Sequence, residues 1–249
     1  MSKGYALITG AARGLGKAIF LQLAKEGYDL VGVYATDTST PKMQALIDEV
    51  EKEYGVKAIG MKGDIGSYDG CKAIVDFAVE NMGKDISVLV NNAGVAGGKY
   101  FVDESFDYMC HTIQVDLMGA LTMCHLVLPL MIERKGGDII NMSSFGALAG
   151  VPGQPVYSAA KAGLIGFSKT VAKEVACYGI KINCIAPGAF ATDMVAQADP
   201  EQRAAVEATI PLGCLGDPAD VALCASYMIN SSYLTGQTIS PNGGIISIP

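Results

Sequence analysis

A chain of 249 residues, 50% of them apolar, is long enough to bury one large core and falls in the size range of a single α/β domain. With 25 acidic against 18 basic side chains the formal charge is -7, which repels polyanions and argues against nucleic acid as a partner. The 7 cysteines include no C-x-x-C pair, and only a short apolar stretch precedes Gly10, so the expectation is free thiols in a cytoplasmic protein without an export signal.

In chain order, apolar β-rich runs at Tyr5 to Thr9, Leu30 to Tyr34, Lys57 to Met61, Val88 to Val90, Asp138 to Met142 and Lys181 to Ile185 alternate with helical patterns. A seventh strand is expected near Gln237 to Ser240. Repeated βα units predict an α/β fold: one Rossmann-type three-layer domain over residues 1–249, its parallel seven-stranded sheet covered by helices on both faces. The runs are nearly continuous rather than alternating, as two covered faces require. Leu121 to Ile132 is the most apolar long stretch, yet at about twelve residues, with His125 and Pro129 inside it, it falls short of a membrane span and reads as a buried helix.

Directly after the first run comes Thr9-Gly10-Ala11-Ala12-Arg13-Gly14-Leu15-Gly16, opening a helix through Ile19 and Leu23. Glycines there allow a tight turn and the close approach of a pyrophosphate to helix N-terminal amides. A turn-to-helix junction uses glycine for backbone reasons too, so the strand before and the helix after carry the assignment. The second run ends Val33-Tyr34-Ala35-Thr36-Asp37, with Tyr34 where an NAD-selective acid is expected and Arg13 in reach of a 2′-phosphate. This favours NADP(H), with NAD(H) as the alternative if Asp37 is the ribose ligand.

Two polar groups follow predicted strands: Asn91-Asn92-Ala93-Gly94 after the fourth and Ser143-Ser144 after the fifth. Tyr157 and Lys161 then share a helix face at i,i+4 spacing. A neighbouring cation lowers a phenol's pKa from its ordinary value of about 10, and the pair becomes a usable general acid/base. Alone, Tyr-x-x-x-Lys is more often a half-buried tyrosine beside a surface lysine; the conjunction with Ser144 and Asn91 to Gly94 at strand ends sets this one apart. Pro187-Gly188 ends the sixth run, and the small, polar stretch from about Ala189 to Leu212 is the expected substrate lid. His111 and His125 stand 14 residues apart, about 21 Å along a straight helix, and no other Cys/His cluster has ligand spacing, so no catalytic metal is expected.

Taken together, these motifs resemble the short-chain dehydrogenases/reductases over essentially the whole chain. Gly153-Gln154, the run Lys161 to Lys169, Pro211-Leu212-Gly213 and Leu234 to Gln237 leading to Asn242-Gly243-Gly244 are most similar to the 3-oxoacyl-[acyl-carrier-protein] reductases. The resemblance implies that Tyr157 donates a proton to a carbonyl oxygen as hydride arrives, that Lys161 lowers the tyrosine pKa and binds the nicotinamide ribose, and that Ser144 polarises the carbonyl. It implies cofactor contacts from Gly10, Arg13, Gly14, Leu15 and Gly16 in the first loop and from Asp64 and Ile65 at the adenine. Asn92, Ala93 and Gly94 would follow the adjacent ribose, and Pro187, Gly188 and Thr192 the nicotinamide end. A homotetramer is likewise implied.

Two positions depart from that family. Asp116 stands where an asparagine usually supports a water relay to the lysine, and an ionised carboxylate has no N–H to donate. The acyl carrier, an acidic protein, is met in these reductases by two basic residues; Lys135 keeps the first, but Tyr178 occupies the second. With the negative net charge this argues against an acyl-carrier partner. The leading reading is NADPH-dependent reduction of a 3-oxoacyl thioester. A hydroxysteroid or other small-alcohol dehydrogenase of the same chemistry is the alternative, and a non-catalytic nucleotide sensor is the third reading.

Overall fold

The computed structural model describes residues 3–95, 97–192 and 200–247. Strands Tyr5–Thr9 (β1), Asp29–Tyr34 (β2), Ala58–Lys62 (β3), Ile86–Asn91 (β4), Gly137–Met142 (β5), Ile180–Ile185 (β6) and Thr238–Ile239 (β7) form one sheet in the order β3-β2-β1-β4-β5-β6-β7. Every pairing is parallel. β4 begins two residues before the run expected from the sequence, because Ile86 pairs with Tyr5 at the edge of β1. β7 is shorter than expected: Pro241 follows closely and has no N–H to extend a ladder.

The helices are Gly14–Lys25 (α1), Thr40–Tyr54 (α2), Tyr68–Met82 (α3), Phe106–Ile113 (α4), Ala120–Arg134 (α5), Gly146–Ala149 (α6), Pro155–Val175 (α7), Pro200–Ala208 (α8) and Pro218–Asn230 (α9). Their ends follow ordinary capping chemistry. Ser67 and Ser105 accept the backbone N–H groups of Gly70 and Tyr108, and Asp217 accepts that of Ala219 just ahead of Pro218.

Two cores cover the sheet. Phe20 and Leu23 of α1, Met43 and Leu46 of α2 and Met228 of α9 bury one face. Ile74 of α3, Met123 and Val127 of α5 and Ala172 of α7 bury the other. Each such side chain removed from water contributes about 1.5–3 kcal/mol. Gly32 in β2 lets α2 approach, since a Cβ there would lie 2.4 Å from the Met43 methyl carbon. β1 and β4 are buried at every position, and the strand order turns outward in opposite directions from them. A crevice therefore opens where their carboxyl ends diverge, the place at which open α/β sheets receive ligands.

The apolar helix is longer and less buried than its sequence predicts. Helical structure runs continuously over Phe106–Arg134, 29 residues, enough by length and composition to cross a membrane. Its polar first half hides this length from a hydropathy reading. One face packs on α3, α7, β4 and β5, while His125 and Pro129 are exposed and Leu126 and Leu130 half-buried. Within it, Gln114–Gly119 forms a π turn, a wide turn often found at functional sites.

Candidate active site

The loop after β1 is shaped by close contacts that only glycine allows. Gly10 and Gly14 take positive φ values of 69° and 56°, and a Cβ on Gly16 would lie 2.2 Å from the Gly10 carbonyl oxygen. Asn92, just past β4, fastens this loop from below. Its Nδ2 donates to the carbonyl oxygens of Thr9 at 2.9 Å and Gly10 at 3.1 Å. Thr9 Oγ1 in turn accepts the backbone N–H groups of Asn92 and Ala93, both at 3.0 Å. The Asn92 side chain is thus engaged by the loop.

A cleft of about 590 Å³ runs along the carboxyl ends of the strands. Gly10, Arg13, Gly14, Leu15, Asp64, Ile65, Asn92, Ala93 and Gly94 line it, as do Ser144, Tyr157, Lys161, Pro187, Gly188 and Thr192. Gly16 is buried behind the loop rather than on the cleft wall. Leu15 packs in part against the core of the α1 face. The glycine cradle, the strand-end amides and a cleft of this length fit a nicotinamide dinucleotide, with Arg13 at one end and Tyr157 at the other.

At the Arg13 end, β2 stops at Tyr34, and Tyr34, Ala35, Thr36 and Ser39 line the wall. Asp37 belongs to the following turn and pairs with Lys62 at 2.7 Å, with most of its side chain in solvent. The acid nearest the end of β2 is therefore turned to a lysine.

At the other end, two strands and one helix assemble the reacting groups. Ser143 donates to the Lys161 carbonyl oxygen at 2.9 Å, pinning α7 to the end of β5. Ser144 is buried and its Oγ accepts the Gly146 N–H at 3.1 Å. Tyr157 and Lys161 lie in the first turns of α7, with the ammonium nitrogen 5.6 Å from the ring centre. Behind them Asn91, Asn141 and Ser168 form a buried chain of hydrogen bonds, both links 2.8 Å, joining β4, β5 and α7.

The electrostatics correct one expectation. The Tyr157 phenol is pushed up, not down: burial raises it, its hydrogen bond with Ser144 lowers it, and the Asp116 charge raises it. Burial also pushes the Lys161 ammonium down, with Asp116 acting against that.

Asp116 does not line the cleft; it lies behind it, in the π turn, 1% exposed. Its Oδ1 accepts the Val95 N–H at 2.7 Å, while Oδ2 is buried without a partner among the described residues. Burial raises its pKa, against the lowering effects of Lys161, the Val95 amide and His111. His111 and Val115 also face the cleft, and the sequence reading missed both. Neither has a motif around it, and the wide turn that decides which helix face they share has no sequence signature. Among the described residues no group of three or more His, Cys, Asp or Glu is placed to hold a metal ion.

The comparisons with known proteins agree with this geometry. The 3-oxoacyl-[acyl-carrier-protein] reductase FabG of Staphylococcus aureus is 36% identical over 242 residues, covering 96% of this chain and 97% of that protein. FabG of Thermotoga maritima is 37% identical over 249 residues, with 96% of each covered. Nodulation protein G of Azospirillum brasilense is 37% identical over 247 residues, 98% of this chain and 99% of that one. Among solved structures, a blue fluorescent protein from a metagenomic library in complex with NADPH superposes with a TM-score of 0.92 at 28% identity, covering 99% of both chains. The short chain dehydrogenase family model matches residues 4–203. The chain belongs to the short-chain dehydrogenase family, oxidoreductases acting on CH–OH groups.

Proposed function

We propose that the protein reduces a 3-oxoacyl thioester with NADPH. The observation that carries this reading is one continuous cleft with Ser144, Tyr157 and Lys161 at one end and Arg13, Tyr34, Ala35 and Thr36 at the other. An NAD-selective site needs an acid on the adenosine ribose, whereas Asp37 pairs with Lys62 at 2.7 Å and Arg13, on the cleft wall, supplies a cation that would suit a 2′-phosphate. The thioester is supported by the names of the FabG relatives.

A nicotinamide nucleotide, when bound, supplies the hydride. Tyr157 gives its phenolic proton to the substrate oxygen, and Ser144 donates a hydrogen bond to that oxygen while its negative charge grows. Lys161 would bind the nicotinamide ribose and, 5.6 Å from the Tyr157 ring centre, place positive charge beside the tyrosinate that remains. In the reverse direction the same tyrosinate takes the alcohol proton. Pro187, Gly188 and Thr192 would border the nicotinamide end, Asp64 and Ile65 the adenine, and Ala93 and Gly94 the path between. The lid of about residues 189–212 closes over the substrate; residues 193–199 of it lie outside the described residues. The whole chain acts as one domain, in the cytoplasm, as a homotetramer.

One observation favours a second reading, a free ketone or secondary alcohol such as a hydroxysteroid. Tyr178 is 44% exposed next to Gly179, which abuts the Lys135 carbonyl, so the pair of cations expected at an acyl-carrier dock is reduced to one. Arg134 does not replace it, being bound to Asp85 at 2.6 Å. Oxidation of NADPH and, separately, of NADH with acetoacetyl-CoA, ketosteroids and diketones tests both. Rapid NADPH turnover with the thioester is expected. Turnover confined to another ketone would replace the substrate and keep the mechanism, and no turnover with any carbonyl would leave the nucleotide-sensor reading.

A further inference from the structure

Lys161 is 4% exposed, and among the described residues no carboxylate pairs with it directly, yet the chemistry above needs its ammonium charged. Among the described residues, Asp116 is the carboxylate whose charge acts on it. Gly94 separates the two: a Cβ there would lie 2.7 Å from Asp116 Oδ1 and 3.2 Å from Lys161 Nζ. Asp116 is as buried as the lysine, and its Oδ1 is fixed by the Val95 N–H at 2.7 Å, so the carboxylate cannot swing away without freeing the loop that lines the cleft. Its second oxygen, buried and without a partner among the described residues, keeps the full desolvation cost of a charge unless a cation stands near.

We propose that Asp116 is a positioning residue that acts through Lys161, its carboxylate serving as the buried counter-charge that faces the ammonium across Gly94 while its Oδ1 also holds the Val95 N–H and so the β4–α4 loop against the cleft. An asparagine at this place preserves the second task and loses the first, since its amide oxygen accepts the Val95 N–H but carries no charge. The inference rests on the assignment of Lys161 to the reacting centre.

The groups facing this pair can be named. Lys161 and Tyr157 approach from α7, His111 from the turn before the π turn on Asp116's own helix, and Cys184 faces Lys161 from β6. The Cys184 thiol is pushed up to about 11, chiefly by burial, so it is neutral near neutral pH and offers Lys161 no counter-charge there. Burial disfavours the Lys161 ammonium and the Asp116 charge favours it. Removing that charge therefore moves the lysine titration to lower pH. The Tyr157 phenol, raised in part by Asp116, moves down with it.

The test is the titration of Lys161 itself, read as its rate of acetylation against pH in the cofactor-free full chain, with the modified peptide quantified by mass spectrometry. In Asp116→Asn the Lys161 midpoint is expected to fall by about one pH unit or more. Asp116→Ser, which also lacks the charge, gives the same sign if the asparagine variant folds poorly, and His111→Gln leaves the midpoint nearly in place. The alkaline limb of kcat falls by the same shift in Asp116→Asn. A Lys161 midpoint that stays put or rises in both charge-removing variants would overturn the proposal. The acetylation readout needs no substrate, so it stands even if no carbonyl compound is turned over and the functional reading fails.

Discussion

Ser143 Oγ and the Lys161 carbonyl oxygen, 2.9 Å apart, join the end of a central strand to the helix that carries Tyr157. Strand and helix are thereby tied together, which fixes Ser144 relative to Tyr157 and Lys161. A site held this way should lose chemistry, not architecture, when a reacting group is removed.

Tyr157→Phe is accordingly expected to lower kcat by about 10²–10⁴-fold, the range typical of a lost general acid. NADPH affinity should stay within a few-fold of wild type by fluorescence titration. Undiminished turnover would remove Tyr157 from its assigned role.

Arg13→Ala tests the other end of the cleft. A charge-assisted contact to a 2′-phosphate is worth about 1.5–3 kcal/mol. The KM for NADPH should rise by roughly 10- to 100-fold on that basis, with KM for NADH changed little. Equal losses with both cofactors would show that Arg13 does not meet the phosphate.

Gly94→Ala places a methyl group 2.7 Å from Asp116 Oδ1, closer than real Cβ contacts come. Either the carboxylate releases the Val95 N–H or the loop recedes. Weaker cofactor binding and a lower thermal midpoint are expected together, and a variant that binds NADPH as wild type would show that the loop adapts freely.

Asp138 provides a pH-dependent stability test outside the cleft. Burial raises its carboxyl from 3.8 to about 6, against the Lys181 ammonium at 2.9 Å. A folded-state pKa above the unfolded one means the contribution is full below the unfolded value and is lost as pH rises through the folded value. Between about pH 4 and 7 the wild type should therefore lose up to roughly 3 kcal/mol relative to Asp138→Asn, read from urea midpoints at each pH. Parallel midpoints over that window would contradict the shift. Lys181 also donates to the carbonyl oxygens of Met228, Ile229 and Ser231, so the variant keeps the lysine anchored at the end of α9.

Much of this site was legible in the sequence because its parts sit at strand ends, and strand ends are marked by the change from apolar runs to glycine, asparagine and serine. The loop from Thr9 to Gly16, the Asn91 to Gly94 turn and Ser144 were found that way, and the i,i+4 spacing brought Tyr157 and Lys161 together. What escaped depends on packing. The orientation of His111 follows from the packing around a wide turn that no residue type announces. The direction of the Tyr157 shift escaped for the same reason: spacing shows the neighbouring cation but not how deeply both groups are buried.

The π turn at Gln114–Gly119 has a mechanical consequence for the rest of its helix. One residue more or fewer rotates everything beyond it by about 100°. Deleting a residue from the turn would leave an ordinary helix, but it would swing Met123, Val127 and Met131 out of the core and bring the solvent-facing side of α5 inward. The turn works as a gear between two surfaces: it aims Asp116 at Lys161 and, in the same stroke, fixes which stripe of α5 the molecule presents to its surroundings.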